Sequence, residues 1–429
     1  MSFRHLLSLF VIIIITACEP DIKEFRPSSG EADFTVFVAL GNSLTAGFAD
    51  GDLYISSQMV SYPNIIANQM THVGNEDFKL PLLKDEYGLY GNRITLGSAT
   101  NCFGDTIPAP ILSGLPVNPA NFININSEGP FHNLGVPGAK VSDLLDATYA
   151  NTNLYYGRFA SSENARIIDE ALLLDPTFFS LWIGANDILG YALSGGTSGG
   201  ITSYDDFAYY FNQLMTALTS RASKGVVANI PNITSIPYFN TLPPRGLIIT
   251  SQEQLTTLNH TYASMPHLSF QMGINGFVVA DSNAPFGIRQ LKDNELLLLN
   301  LPQDSIRCSA WGSLIPIHQR YYLSERQIDL LDSAIKGYNI FIEEKADELQ
   351  LAYVDVNHLL EQGKRGLVFD GLEFNTSYIL GGIFSLDGIH LSARGNAIIA
   401  NYFIEAINKT YGSSIPQVSV TQFQGIVLP

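Results

Sequence analysis

Four short apolar segments recur along the chain, and each ends at a residue that favours a turn. They are 34–40, 177–183, 225–230 and 351–356. Runs of this length, rich in β-branched and aromatic residues, are typical of parallel strands buried on both faces. Between them lie two stretches with the amphipathic spacing of helices that cover a sheet, at residues 205–224 and 324–350. The alternation predicts an α/β sandwich with a parallel sheet.

Two long stretches interrupt this alternation. Residues 71–130 are rich in Gly, Pro and Asn and lack periodicity, and residues 238–323 separate one predicted strand from the next long helix. Long insertions in a compact α/β domain tend to be functional loops or lids. The second insertion is apolar for a solvated loop, notably at 270–279 and 296–299. Two interpretations stay open for it: a small subdomain with its own core, or a lid that binds acyl chains.

The first residues have the pattern of an export signal. Arg4 precedes an apolar run at 6–15, which is too short to span a bilayer as a mature helix. The run leads to Ile-Thr-Ala-Cys at 15–18, which resembles the lipobox of bacterial lipoproteins, where the cysteine is lipidated. We therefore expect a signal peptide at 1–18, lipidation at Cys18, and a place in the cell envelope on a membrane, with the outer membrane favoured. The alternative is ordinary secretory cleavage beside an incidental cysteine.

The rest of the chain divides into three predicted parts. Residues 19–32 contain several Pro and Ser and are expected to form a flexible tether. One domain is expected over 33–410, including both insertions, and the tail 411–429 is left unassigned. Cys102 and Cys308 lie in the two insertions. Whether they pair in an oxidising compartment stays open, because the sequence does not give their separation.

Charge and motif content narrow the classes of function. Lys and Arg total 23 against 40 Asp and Glu, which gives a formal net charge of −17. Such a field repels phosphate backbones, so nucleic acid is excluded as a partner. The sequence has no CxxC pair, no HExxH, no Walker loop and no GxGxxG after a strand, so no metal or other cofactor is expected.

A candidate nucleophile follows the first predicted strand. In the segment GNSLTAG, a glycine-flanked turn can present Ser43 at the edge of the sheet. A serine hydroxyl is protonated at neutral pH and needs an adjacent base. Asp387 and His390 lie three residues apart, just before Ser392, which is suited to cap the next helix. One loop can thus hold an imidazole and a carboxylate that fixes its tautomer, which predicts a Ser-His-Asp arrangement.

Acyl transfer also needs hydrogen-bond donors for the oxyanion. Asn186 follows an apolar strand and could reach the same edge as Ser43. In the segment that begins at Asn133, the backbone N–H of Gly138 can approach a substrate closely because no Cβ intervenes. With the N–H of Ser43, these would make three donors. Gly135 is the rival to Gly138 as the glycine donor.

Other titratable residues have structural interpretations. His132 and His358 are rival bases, each expected to be a structural histidine. Asp187 is expected to brace its own turn.

Four segments together carry a resemblance to a known family. They are GNSLTAG at 41–47, NLGVPGA at 133–139, GAND at 184–187 and DGIH at 387–390. In this order they resemble the four blocks of the SGNH or GDSL hydrolases, and the similarity covers most of the mature chain apart from the two insertions. The first block departs from the usual Gly-Asp-Ser-Leu because Asn42 stands in place of Asp.

The resemblance implies a fold and a set of roles. The fold would be a flavodoxin-like three-layer α/β/α sandwich. Ser43 would be the nucleophile, His390 the base and Asp387 the group that orients it. Ser43, Gly138 and Asn186 would form the oxyanion hole.

The function expected from these residues is hydrolysis of carboxylic esters through an acyl-enzyme, by a secreted, lipid-anchored serine esterase or lipase. The apolar insertions and the anchor favour lipidic or long-chain acyl esters, because such chains need an apolar groove. A carbohydrate O-deacetylase of the same fold is one alternative. A non-catalytic surface lipoprotein that binds glycan or lipid is the other.

Overall fold

The structure, a computed structural model, describes residues 26–222 and 224–426, so Cys18 and the predicted signal peptide lie outside the described residues. Its centre is a sheet of five parallel strands, β1 (Phe37–Gly41), β2 (Asn133–Gly135), β3 (Phe178–Trp182), β4 (Lys224–Ala228) and β5 (Ala352–Val354). The strand order is β5-β4-β3-β1-β2. This is the flavodoxin-like order, 2-1-3-4-5 read from the other edge. The predicted α/β fold with a parallel sheet is confirmed.

Helices cover both faces of the sheet. Seven of them are α1 (Tyr62–Met70), α2 (Ile167–Leu173), α3 (Asn186–Leu193), α4 (Tyr204–Thr219), α5 (Glu325–Glu348), α6 (Val356–Gly363) and α7 (Ala393–Tyr411). Helices α1 and α7 pack together, with α7 against β4 and β5. On the other face, α4 packs between α2 and α5, and α3 also contacts α5. The three layers expected from the family resemblance are therefore present.

The main strands form where the sequence is continuously apolar. Every residue of β1 and β3 is buried, as expected for strands covered on both faces. Helix α7 begins where a capping residue was expected, since the Ser392 Oγ accepts a hydrogen bond from the Gly395 N–H at 3.0 Å. Strand β2 was not predicted as a strand.

The first insertion contains an antiparallel hairpin of Ile94–Thr100 and Thr106–Leu112. The second contains helices and short strands of its own, at Leu247–Ile249, Gln252–Thr261, Gly273–Asn275, Val278–Ala280, Ile288–Gln290, Leu296–Leu297, Gln303–Cys308 and Tyr322–Leu323. Apolar side chains of this second insertion form a separate buried cluster. Of the two interpretations left open, the structure therefore has the subdomain with its own core. Cys102 and Cys308 form a disulfide that links the two insertions.

Further short α-helices and one more hairpin lie in the described chain. They are the helices Ser43–Ala46, Ile55–Met59, Tyr149–Thr152, Leu154–Gly157 and Pro237–Asn240, and the hairpin of Leu367–Phe369 with Leu372–Phe374. Within residues 26–222 and 224–426, no helix is long and apolar enough to cross a membrane.

Both ends of the described chain pack against α7. The Ser28 N–H donates to the Ser414 Oγ at 2.8 Å, and the Glu31 N–H donates to the Tyr411 carbonyl at 2.8 Å. The flexible tether predicted for 19–32 is therefore wrong for residues 28–32, because backbone hydrogen bonds fix this segment. Beyond α7, Ile415 and Val420 are buried in the main core. The tail left unassigned thus belongs to the folded domain.

Candidate active site

Ser43 follows the carboxyl end of β1 and is the first residue of a four-residue helix. This edge is where ligands bind in open parallel sheets. The Asn42 Oδ1 accepts the Leu44 N–H at 3.0 Å and so caps the short helix. Asn42 stands where the family has Asp. Its amide oxygen therefore serves as the hydrogen-bond acceptor that an Asp carboxylate oxygen would be at this position. The Ser43 side chain is held at the end of a rigid, buried strand.

His390 and Asp387 meet Ser43 across the fold. The His390 Nε2 is 2.9 Å from the Ser43 Oγ, and its Nδ1 is 2.8 Å from the Asp387 Oδ2. Because a carboxylate can only accept, Nδ1 carries the proton and Nε2 is left to accept the serine hydroxyl. The Phe48 ring packs against the imidazole, with the ring centroids 4.5 Å apart. The three residues are thus arranged as a nucleophile, a base and an orienting carboxylate.

Asp387 receives five hydrogen bonds. Its Oδ1 accepts the N–H groups of Ile389 and His390, each at 2.8 Å, and the Ser385 hydroxyl at 3.1 Å. Its Oδ2 accepts the Gly51 N–H at 3.0 Å in addition to the imidazole. Burial would raise the pKa of Asp387, but the facing His390 and these donors outweigh burial and hold the pKa well below its usual value. The carboxylate therefore stays ionised at neutral pH.

Asp50 fixes the loop that carries Asp387. Its N–H donates to the Ser385 Oγ at 3.0 Å, its Oδ1 accepts the Leu386 N–H at 2.8 Å, and its Oδ2 accepts the Tyr54 hydroxyl at 2.6 Å. Burial is the main cause that raises the pKa of Asp50. The segment that follows Ser43 in sequence is therefore joined to the histidine loop by side-chain and backbone hydrogen bonds. Sequence reasoning missed this residue, and only the closeness of Asp50 to the serine block could have drawn attention to it.

Three hydrogen-bond donors remain at this edge. The Asn186 Nδ2 donates to the Ala139 carbonyl at 2.9 Å, which leaves its second N–H, and the side chain lines the same cavity as Ser43 and His390. Gly138 is exposed, with a φ of +86°. Within the described residues, the backbone N–H groups of Ser43 and Gly138 have no acceptor. Asn186 also ties the Gly138 loop to the site through the neighbouring Ala139.

Gly135, the rival donor, has a packing role. Its N–H donates to the Asn133 Oδ1 at 3.0 Å and is not available to a substrate. A Cβ on Gly135 would lie 2.3 Å from the Ala46 backbone nitrogen, far inside contact distance. Asn133 also donates from Nδ2 to the Thr45 carbonyl at 2.8 Å. Strand β2 therefore approaches the serine helix closely, and the geometry favours Gly138 as the glycine donor.

Asp187 does not brace its own turn as expected. Its Oδ2 instead accepts the Val141 N–H at 3.0 Å, which holds the loop that follows Gly138. Its Oδ1 has no hydrogen-bond partner in the described chain. Burial raises the pKa of Asp187 to about 6.

The rival bases lie away from Ser43. The His132 Nδ1 accepts the Lys79 N–H at 3.1 Å, and burial lowers the pKa of this imidazole. His358 is exposed, with its Nε2 2.9 Å from the Gln362 Nε2. Among residues 26–222 and 224–426, no three or more His, Cys, Asp or Glu side chains cluster as a metal site would require.

Three solved structures are similar to the chain: LAE5, an α/β hydrolase from the metagenome of Lake Arreo (10% identity, TM-score 0.38, 88% of this chain and 96% of that one); Axe2, an acetylxylan esterase from Geobacillus stearothermophilus (11%, 0.37, 88% and 96%); and a putative GDSL-like lipase from Parabacteroides merdae (12%, 0.36, 89% and 99%). None of these likenesses bears on the substrate of this chain.

The family itself is shown by sequence. No curated protein sequence matches the chain. A family model described as GDSL-like Lipase/Acylhydrolase matches residues 37–403, a span that includes all four sequence blocks. The chain therefore belongs to the GDSL-like lipase/acylhydrolase family, as its motifs predicted.

Proposed function

We propose that this acylhydrolase-family protein is a serine esterase or lipase that cleaves carboxylic esters through an acyl-enzyme on Ser43. One observation carries the proposal: the His390 imidazole bridges the Ser43 hydroxyl and the Asp387 carboxylate at 2.9 and 2.8 Å. These are hydrogen-bonding distances, so proton transfer needs no rearrangement. A histidine with a structural role alone would not need a serine hydroxyl at one nitrogen and a carboxylate at the other.

The reaction follows from this geometry. The Ser43 Oγ attacks the ester carbonyl carbon while the His390 Nε2 takes its proton, and Asp387 stabilises the imidazolium. The tetrahedral intermediate then collapses, and the alcohol leaves with the proton from His390. Water attacks the acyl-enzyme by the same route and releases the carboxylic acid. The serine is regenerated with its proton.

The oxyanion of each tetrahedral intermediate needs fixed donors. The N–H groups of Ser43 and Gly138 and the Nδ2 of Asn186 fill this role. Removal of one such donor typically costs 10²- to 10³-fold in kcat. The hydrogen bond from Asn186 to the Ala139 carbonyl positions its amide before substrate arrives. No metal or other cofactor takes part in these steps.

We place the protein in the cell envelope, anchored to a membrane through a lipid on Cys18, with the outer membrane favoured. The sequence at 15–18 supports this placement, and so does the disulfide between Cys102 and Cys308, since disulfides persist in oxidising compartments. An enzyme held at a membrane surface has ready access to lipidic esters. We therefore favour lipidic acyl esters as its substrates and keep the sugar deacetylase as the rival.

Lipidation is tested by Cys18→Ala. In a bacterial host that processes lipoproteins, we expect the native chain to fractionate with membranes and to take up labelled palmitate. The Cys18→Ala variant should lose the label and leave the membrane fraction, because the acyl chains supply the membrane affinity. A native chain that takes up no label, or a Cys18→Ala variant that is labelled like the native chain, would rule out lipidation at Cys18.

Catalysis is tested on a series of p-nitrophenyl esters from acetyl to palmitoyl. We expect Ser43→Ala and His390→Ala each to lower kcat by at least about 10³-fold without unfolding the protein. Matched controls are Ser162→Ala and His358→Ala, two exposed positions outside the site. Both should keep full turnover.

The outcomes separate the candidate functions. Turnover that survives Ser43→Ala would remove the proposed mechanism. The folded native chain could instead hydrolyse no ester but bind glycan or lipid in a calorimetric titration. That result would indicate the non-catalytic binding protein. A sharp preference for acetyl would favour the sugar deacetylase.

A further inference from the structure

An apolar cavity lies next to Ser43 and His390, which are among its lining residues. Its polar lining residues are Asn42, Ser43, Asn186 and His390, and the other lining residues are apolar or glycine. Neither insertion contributes to the lining. The cavity is therefore a feature of the catalytic domain itself.

The cavity extends along helix α6. Its wall includes Val356, Leu359, Leu360 and Gly363, which span the whole helix. Seven residues of helix rise about 10 Å. The opposite wall comes from the loop before His390 and from the first turns of α7. Ser43 and His390 thus share one cavity with the whole length of α6, and we call this space the slot.

We propose that this slot is an acyl-chain pocket, which makes the protein selective for medium-chain fatty acyl esters over acetyl esters. The inference rests on the proposed serine esterase function and names its substrate class. An extended chain of roughly eight carbons would span the 10 Å of helix that lines the slot. An O-acetyl sugar would leave most of this apolar wall without a contact and would find few polar partners in it.

The order of bond breaking assigns the acyl group, rather than the alcohol, to the slot. The acyl carbon stays bonded to Ser43 through both chemical steps, whereas the alcohol must leave and be replaced by water. An apolar enclosure favours the part that stays and disfavours the entry of water. The alcohol therefore faces the solvent side of His390, which gives it a proton. Lipid headgroups of different chemistry are acceptable on that side.

The expected signature is a rise in kcat/KM with chain length. Each methylene buried in an apolar pocket should raise kcat/KM about fourfold. The rise should end near eight carbons, where the slot ends, and longer chains should gain nothing or lose. Acetyl esters should be poor substrates.

Gly363 offers a way to block the slot. A Cβ built on Gly363 would lie 3.3 Å from the Thr376 Cγ2, 3.5 Å from the Ile383 Cδ1 and 4.0 Å from the Leu367 Cδ1. The contact with the Thr376 methyl is tight and requires that side chain to shift by a few tenths of an ångström, whereas no backbone atom is in the way. Gly363→Leu should therefore fill the part of the slot beside Ile383 and Leu367, which both line the cavity. Gly337→Leu is the matched control, because Gly337 also lies in a helix but far outside the lining, next to the half-exposed Tyr204 ring.

The experiment measures kcat/KM for p-nitrophenyl acetate, butyrate, octanoate and palmitate with the full chain. We expect Gly363→Leu to lower the ratio of octanoate to acetate at least tenfold relative to the native protein, and Gly337→Leu to leave that ratio unchanged. If Gly363→Leu does not fold, Leu367→Phe narrows the same end of the slot and serves as the second variant. An unchanged ratio in a folded blocking variant overturns the proposal.

Failure of the pocket and failure of the esterase proposal give different results. Hydrolysis that depends on Ser43 but shows no rise from acetyl to octanoyl refutes the acyl-chain pocket alone. Absence of hydrolysis across the whole series refutes the esterase function on which the inference rests.

Discussion

Asp187 is a buried carboxyl group with incomplete compensation. One of its oxygens accepts the Val141 N–H, and the other has no partner in the described chain. Burial raises its pKa from 3.8 to about 6. Between these two values the native state keeps a proton that the unfolded chain releases, so the free energy of unfolding falls as the pH rises through this window. The group therefore costs stability at neutral pH while it holds the loop that follows Gly138.

We predict that Asp187→Asn removes this pH dependence, because an amide oxygen can still accept the Val141 N–H but carries no charge. The free energy of unfolding of the variant, minus that of the native protein, should grow by about 2 to 3 kcal/mol between pH 4 and pH 7. Denaturant unfolding at a series of pH values measures it. A difference between the two proteins that stays constant from pH 4 to pH 7 would contradict the prediction.

The residue types in the sequence were enough to predict which side chains form the candidate site. They did not reveal which other residues hold those side chains in place. Ser43, Asp387 and His390 each lie in a short block with a recognisable function, so their meeting could be predicted. Asp50 lies 336 residues from the loop that it fixes, and no local pattern marks such a contact. Asp187 was misassigned for the same reason, since its partner lies 46 residues away in another loop.

At the scale of secondary structure, elements with a strong apolar pattern were predictable. Strands β3 and β5 fall within two of the apolar segments, and β1 and β4 each extend one residue beyond the other two, because strands buried on both faces are apolar along most of their length. Strand β2 contains Asn133 and Gly135, which have low strand propensity. Its neighbours hold it there: β1 pairs with it, and the Asn133 side chain bonds to the Thr45 carbonyl. Tertiary contacts overrode local propensity.

The insertions could not be predicted in detail, since their elements are two to ten residues long and lack helical or strand periodicity. Their order depends on contacts across the sequence. The separate apolar cluster of 238–323 forms among short strands that pair within the insertion. Four residues of helix α6, by contrast, line the cavity: Val356, Leu359, Leu360 and Gly363. A helical pattern in the sequence can reveal such an apolar face, but it cannot reveal which residues pack opposite it.

Across the whole molecule, the second insertion supports the loop that carries Asp387 and His390, although it does not line the cavity. The Tyr238 N–H donates to the Gly388 carbonyl at 2.9 Å, and the Leu299 N–H donates to the Tyr238 carbonyl at 2.9 Å. Gly388 lies between Asp387 and His390, so the insertion contacts the loop that holds the base. The disulfide ties this insertion to the hairpin of the first. Neither cysteine lines the cavity beside Ser43, so loss of the disulfide should lower stability more than it alters the chemistry.

Cys102 and Cys308 are separated by 206 residues, so their bond closes a long loop in the unfolded chain. Removing it should lower the free energy of unfolding by about 2 to 4 kcal/mol, because the unfolded ensemble gains conformational freedom. We predict the same loss for Cys102→Ser, for Cys308→Ser and for the double variant, since any one of them breaks the same bond. Denaturant unfolding measures the loss, and native protein treated with a thiol reductant should match the variants. Losses that add in the double variant would show that each cysteine acts through packing instead, and the pairing would then have no part in joining the two insertions.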